Sequence, residues 1–531
     1  MSDLFEKRTS GAGRRDARTQ QENQARRKTK IMTVSIVTAL AILIVGALII
    51  NSNFIRRTAP AITIDGRVFS SAEFDYFYNM AFHDYSNFLH TQFPEWAGAM
   101  MPPRHMLSST VQDHETGVTW SDFFTQGAID TITDLTQMYN AARASGFVLS
   151  ADDRTNMEAQ FDGLMAEATI ASAQSPLMFP NPMSFIREFY GNSINEDILR
   201  SVMEFVFVAL SYSEYRRESF TYSEAELEAF YNENADRFDI FRFRSLLVEP
   251  ERQNPADFTT GDELADAEEE AELEAVQRAE HIYAAVRSEE AFISAAMELD
   301  PVAFADPRST LMEQQGEFLD ADFRGWLIDP NRAYGDVTRV ETLSGTRILM
   351  FVERDDNNYR MAAMRQLLFR MDDVFPQDFA LGEEDPGFLA AMEEAEALVR
   401  ERGEAALTVF QVNGADEQTL LDMIPDFSDD HTEGGFYDEI ARFPFSSERI
   451  SAMRVVPELE EWLFDESRQV GDYELIRTQF GYHLMFFMEP GEVFRDFIAL
   501  DRMQAEAHEQ WRDDMPEAQV QTHWAFRLRH Q

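Results

Sequence analysis

No cysteine occurs among the 531 residues, and only three lysines do: Lys7, Lys28 and Lys30. Without thiols there is no disulfide, no thiolate nucleophile, no thiolate metal site and no lipid-modified cysteine. Past residue 30 every basic side chain is arginine or histidine, which excludes a phosphate-loop lysine, a Schiff-base lysine and a Ser-x-x-Lys dyad from the body of the chain. Gly-x-Ser-x-Gly, His-Glu-x-x-His and dinucleotide-binding glycine patterns are also missing. The ten histidines are scattered, and His431 beside Asp429 and Asp430 reads as a polar loop, so neither a metal nor another cofactor is expected.

Charge is unevenly spread. Residues 1–30 hold nine basic against four acidic groups, whereas residues 31–531 hold 37 against 91. A body so acidic repels phosphate backbones, and nucleic acid is not an expected partner. The run Asp262 to Glu274 has no calcium-loop spacing and reads as the solvated face of a helix.

Ile31 to Ile50 carries no charge over twenty residues, enough to span a bilayer as a helix. Arg26, Arg27, Lys28 and Lys30 precede it, which keeps the N-terminus cytoplasmic and sends the rest across the membrane. A cleaved signal is the alternative, with Ala59-Pro60-Ala61 as a small-residue cleavage site, but the apolar run and basic leader are longer than such signals need. The expected location is therefore the inner (cytoplasmic) membrane, single-pass, with the bulk of the chain periplasmic or otherwise extracytoplasmic.

Residues 51–60 read as a linker. Ile62-Thr63-Ile64-Asp65-Gly66-Arg67-Val68-Phe69 then reads as a strand, an Asp-Gly turn and a second strand. Ser70 or Ser71 caps a helix carrying Phe74, Phe77, Tyr78 and Phe82. Helical spacing continues to about residue 220, through Ile129, Ile132, Leu135 and Met138, and is interrupted at Pro176, Pro180 and Pro182. Met100-Met101-Pro102-Pro103 is a candidate exposed apolar stretch. Ser223 and Glu226 form a capping box on a helix running to Phe238.

Two segments then repeat one order of elements. The first opens on Phe241 to Val248 and closes on Arg347 to Val352; the second opens on Met361 to Phe369 and closes on His483 to Phe487. In the second, Ser428-Asp429-Asp430-His431-Thr432-Glu433-Gly434-Gly435 and Phe480-Gly481-Tyr482-His483 stand in a matching relation. This set resembles a parvulin-type peptidyl-prolyl isomerase domain, and residues 222–238 and 62–82 resemble the flanking chaperone segments of SurA- and PpiD-type periplasmic foldases.

The resemblance implies an α+β multidomain chain: a tail at 1–30, a transmembrane helix at 31–50, a linker at 51–60 and a mainly helical SurA-like chaperone domain at 61–238. Two tandem parvulin-like domains of the FKBP-like superfold follow at 239–356 (degenerate) and 357–490. Helices at 491–531 are expected to return to the chaperone domain, with Trp511 and Trp524 packed against the helices of 70–220. It implies His483, Asp430 and Gln366 as catalytic positions, Met453, Leu459 and Phe480 as substrate-binding positions, and Gly434 and Gly435 as a structural turn. Gln366 stands where the family carries its first-strand histidine. In the first copy Ser245 and Arg347 replace both histidines, so that copy is expected to be inactive. The implied partners are unfolded or newly exported polypeptides and possibly the export machinery. The implied activity is prolyl isomerisation, or peptide holding without catalysis, or a scaffold role beside the export machinery.

Overall fold

The computed structural model describes residues 30, 32, 34–43, 53–94, 96–372, 385–447 and 451–528. It contains α and β structure in several domains, which group into two units, one of residues 1–220 with 508–531 and one of residues 221–507. No helix among the described residues is long and apolar enough to cross a membrane. Residues 34–43 of the apolar run are helical, and Ile31, Thr33 and residues 44–50 lie outside the described residues.

In the first unit Asp65 (φ 44°) and Gly66 (φ 82°) reverse the chain between strands Pro60–Ile64 and Arg67–Ser70. Positive φ at both central residues matches the twist of a tight hairpin, and Asp-Gly tolerates it. Ser70 and Glu73 then cap helix Ser71–Gln92 reciprocally. This helix packs with Trp120–Ser145 and Glu196–Glu218 around Phe69, Phe74, Phe77, Phe124, Ile132 and Phe205. The far end of the chain completes the sheet: strand Val520–Thr522 pairs antiparallel with Pro60–Ile64, Ile62 opposite Thr522.

The tail departs from expectation in two respects. Past helix Phe494–Asp513 and Pro516 it forms that strand and a 3-10 turn rather than a further α-helix. Trp511 meets Tyr212 edge-on at 6.1 Å, but Trp524 is 63% exposed. The inward position belongs to Phe526, edge-on to Phe74 at 4.9 Å, next to Ala525, whose carbonyl accepts from Ser71 Oγ.

The second unit contains two four-stranded antiparallel sheets of the same strand order. In the first the order is Leu311–Gln315, Ile240–Val248, Gly345–Asp355, Val337–Thr342. In the second it is Phe436–Ile440, Ala362–Arg370, Gly481–Phe487, Tyr473–Thr478. Each opening strand is followed by two helices (Gly261–Ala285 and Glu289–Leu299; Pro386–Val412 and Glu417–Phe427), and a short helix (Ala321–Leu327; Pro457–Leu463) lies between the first edge strand of each sheet and the second.

Side chains alternate across a strand, and this divides the second sheet into two faces. Leu367, Phe369, Leu484 and Phe486 pack under the long helix with Val399, Ala406 and Phe410. Met364, Met485 and Phe487 face the other way, against Leu459, Trp462 and Leu463. Gln366 pairs with Met485 and Leu368 with His483, so Gln366 and His483 share this second face.

Candidate functional site

Four strand and loop segments bring their polar side chains to that face. Gln366 comes from the central opening strand, His483 from its neighbour, Thr478 from the hairpin edge, and Asp430 from the loop after helix Glu417–Phe427. The loop is stitched to the opening strand at several points. Asp429 N–H donates to Leu368 O at 2.8 Å, Leu368 N–H to Ser428 Oγ at 3.1 Å, and Arg370 N–H to Asp429 Oδ2 at 2.9 Å. Arg402 clamps Asp429 through both carboxylate oxygens, at 2.9 and 3.0 Å. Asp429 thus fixes the loop, which leaves Asp430 to the face.

The Gly-Gly turn has a steric reason. Gly434 and Gly435 have φ of 61° and 53°, a region costly to residues with a Cβ. A Cβ on Gly435 would fall within 2.4 Å of Gln366 O. Arg365 holds the turn from the other side, donating to Gly434 O at 2.7 Å.

A continuous hydrogen-bonded chain results. Thr478 Oγ1 lies 2.8 Å from His483 Nε2, and His483 Nδ1 lies 2.8 Å from Gln366 Oε1. Gln366 Nε2 donates to Asp430 Oδ2 at 2.8 Å, and Tyr437 OH donates to the same oxygen at 2.8 Å. Thr432 closes the loop, its Oγ1 2.7 Å from Tyr437 OH and its N–H donating to Asp430 Oδ1 at 3.0 Å.

Charge states fix the direction of every link. Burial pushes the Asp430 carboxyl up, but hydrogen bonds from the Thr432 backbone, Gln366 and Tyr437 hold it below the usual carboxylate value. Ionised, it only accepts, so the Gln366 amide must present N–H to Asp430 and its oxygen to His483. Burial drives the His483 imidazole down to about 4, against upward pulls from Asp430 and Glu458. A neutral ring that donates from Nδ1 accepts at Nε2, and there the Thr478 hydroxyl donates. Phe480 N–H donates in turn to Thr478 Oγ1 at 3.1 Å.

Gln366 and His483 are 5% and 4% exposed, so they meet in contact rather than across an open cleft. Met453 and Phe480 are accessible, at 38% and 50%. Leu459 is not: it sits in the apolar cluster with Met364, Trp462, Met485 and Phe487 and supports the face from within. His431 is exposed and outside the chain of hydrogen bonds. The sequence reading overlooked Thr478, Tyr437 and Thr432; the Thr-x-Phe-Gly-x-His spacing was the available signal for the first. Among the described residues no group of His, Asp and Glu converges as a metal site.

The first copy carries a register equivalent. Ser245 pairs with Leu349, two residues past Arg347, as Gln366 pairs with Met485, two past His483. Arg347 donates to Ser245 Oγ at 2.7 Å. Contact is kept at this position, but a permanently protonated guanidinium replaces the neutral ring.

No family model matches the chain, and no curated protein matches it. Among solved structures the chain is similar to the crystal structure of PrsA from Bacillus subtilis, at 14% identity over 54% of this chain and 88% of that one. The TM-score is 0.13, a superposition too poor to carry either fold or function across.

Proposed function

We propose that the chain is an extracytoplasmic folding factor of the parvulin type, whose 357–490 domain isomerises Xaa-Pro bonds in unfolded polypeptides. The observation that carries this reading is the chain of hydrogen bonds from Thr478 through His483 and Gln366 to Asp430. Isomerisation crosses a barrier of ~18–20 kcal/mol set by amide resonance. It needs no nucleophile, only a site that binds the twisted amide better than the planar forms. A neutral imidazole and an ionised carboxylate, held on a sheet face next to the loop that carries the accessible Phe480, supply oriented dipoles near apolar surface. Gln366 takes the place of the family's first-strand histidine as a neutral bridge.

The charge-free run Ile31–Ile50 behind its basic leader supports a single membrane anchor, with the bulk of the chain outside the cytoplasm. Unfolded or newly exported polypeptides are the proposed clients, and proximity to the export machinery would follow from that anchor.

A second reading, a peptide-binding chaperone without catalysis, draws on the burial of Leu459 and on Ser245 and Arg347 in the first copy. A protease-free assay with the whole chain separates the two. Acceleration of cis-trans exchange in a proline peptide supports the first. An uncatalysed rate together with suppressed aggregation of an unfolded client supports the second.

A further inference from the structure

Both four-stranded sheets carry the same clamp on their opening strands. Arg244 and Arg365 each grip the first residue of the second helix, Glu289 and Glu417, at 2.8 Å. Each also donates to a loop carbonyl, Pro307 O at 2.6 Å and Gly434 O at 2.7 Å. The closing hairpins match as well: Thr342 lies opposite Gly345 as Thr478 lies opposite Gly481. Those glycines have φ of 138° and 135°, and a Cβ on either would strike a carbonyl of its opening strand, Val248 O or Phe369 O. Arg347, two residues past the glycine, therefore holds the position of His483, and Ser245 that of Gln366.

The surroundings of the two positions differ. In the second copy Gln366 and His483 are buried and linked to an ionised Asp430. In the first, Ser245 and Arg347 are half-buried, as are Leu247 and Val340, which lie opposite Arg347 on its two neighbouring strands. Met312, opposite Phe243 on the edge strand, shares this face and is 36% exposed. Among the described residues, Arg242, Arg244, Arg339 and Arg354 of this sheet each make an ion pair with a carboxylate, and Arg347 makes none. It donates to the neutral Ser245 Oγ, and its Nε is buried without an acceptor. A hydroxyl orients the guanidinium and leaves its charge uncancelled.

We propose that this face of the 239–356 domain binds an extended polypeptide segment through a carboxylate side chain flanked by apolar ones. The planar fork of Arg347 matches the two oxygens of a carboxylate. Leu247, Val340 and Met312 offer apolar surface to the side chains on either side of it. A phosphate ester would call for several cations, and the other arginines of the sheet are already paired. Exchange of a neutral ring for a guanidinium thus changes what the face recognises: proline bonds in the second copy, acidic residues in the first. That the segment belongs to an unfolded client rests on the reading proposed above; the preference for a carboxylate does not.

Fluorescence anisotropy with the whole chain in uncharged detergent tests this with two short peptides blocked at both ends. Both are free of proline and differ in one residue, glutamate or glutamine, set between leucine and valine. The glutamate peptide should bind about tenfold tighter. The formal charge of −49 opposes it everywhere else, so such a preference needs a local cation. Arg347→Gln should abolish the preference, and Arg347→Lys should keep only part of it, since the charge remains and the fork is lost. A shift of the Arg347 Nε–H resonance of the wild type on adding the glutamate peptide is the second readout, independent of how the variants fold. Equal binding of the two peptides, binding of neither, a preference unchanged in Arg347→Gln, or no shift of that resonance overturns the proposal. A chain that suppresses client aggregation but binds both peptides equally would lose this site and keep the folding factor. Selection of glutamate through Arg347, with neither suppressed aggregation nor faster prolyl exchange, would do the reverse.

Discussion

His483 Nδ1 and Gln366 Oε1 stand 2.8 Å apart on neighbouring strands, each side chain about 5% exposed or less. Because Gln366 also donates to an ionised Asp430, this contact fixes the tautomer of the imidazole. The consequences can be measured.

His483 should titrate near 4 rather than near the ordinary 6.5, with the proton on Nδ1 when neutral. The folded value lies below the unfolded one, so the unfolded chain binds the extra proton first. The contribution to stability is complete above about pH 6.5 and is lost as pH falls from there toward 4, by about 3 kcal/mol in all. Histidine-selective NMR reads the value directly, and His483→Gln should flatten that part of the stability profile. A ring titrating near 6.5 would contradict the buried, Gln-bridged geometry.

Gln366→Leu removes both hydrogen bonds while keeping bulk. It leaves a buried N–H on His483 unpartnered and takes one donor from Asp430, at about 1–3 kcal/mol. Urea unfolding followed at Trp462, which packs on this face, should show a lower midpoint.

Gly435→Ala should cost about 2 kcal/mol or more, because a positive φ and a Cβ 2.4 Å from Gln366 O act together. Gly471→Ala is the comparison: its φ is 92°, but nothing lies within 4 Å of the added Cβ. The turn beside the site should therefore be the more sensitive of the two to melting.

Removing residues 518–531 should free the Asp65 amide, which donates to Gln519 O at 3.1 Å, and uncover Phe74. Hydrogen exchange at Asp65 and across Ile62–Ile64 should rise from protected toward fast. Protection unchanged by the truncation would show that the returning strand does not hold the edge.

Much of this was readable locally. The Asp65-Gly66 turn and the Ser70–Glu73 and Ser223–Glu226 caps depend on residues within a few positions of each other, and the structure has each of them. The repeated order of strands and helices was legible for the same reason. Contacts between distant residues were not. Gln366 and Asp430 are 64 residues apart, and nothing in either segment states that one amide would satisfy both a carboxylate and an imidazole. Leu459 is a substrate-binding position only by the family resemblance, and helix Pro457–Leu463 turns it into the apolar cluster, a burial that no local pattern states. Trp524 illustrates the converse: a large ring expected inside is exposed, because Phe526 two residues on takes the place against Phe74.

The first copy should contribute no catalysis, since Arg347 keeps its charge at every accessible pH. Ser245→Ala combined with Arg347→Gln should leave any isomerisation rate within about twofold, a change of under about 0.5 kcal/mol in the barrier.

The most direct measurement is the cis-trans exchange rate of a proline peptide, followed by NMR without a coupled protease, with the whole chain and its His483→Ala variant. The uncatalysed reaction takes tens to hundreds of seconds. The wild type should shorten this at least about tenfold, and His483→Ala should return most of the way to the uncatalysed rate. A wild type no faster than the peptide alone, or a variant as fast as the wild type, would contradict an isomerase site built on His483, Gln366 and Asp430.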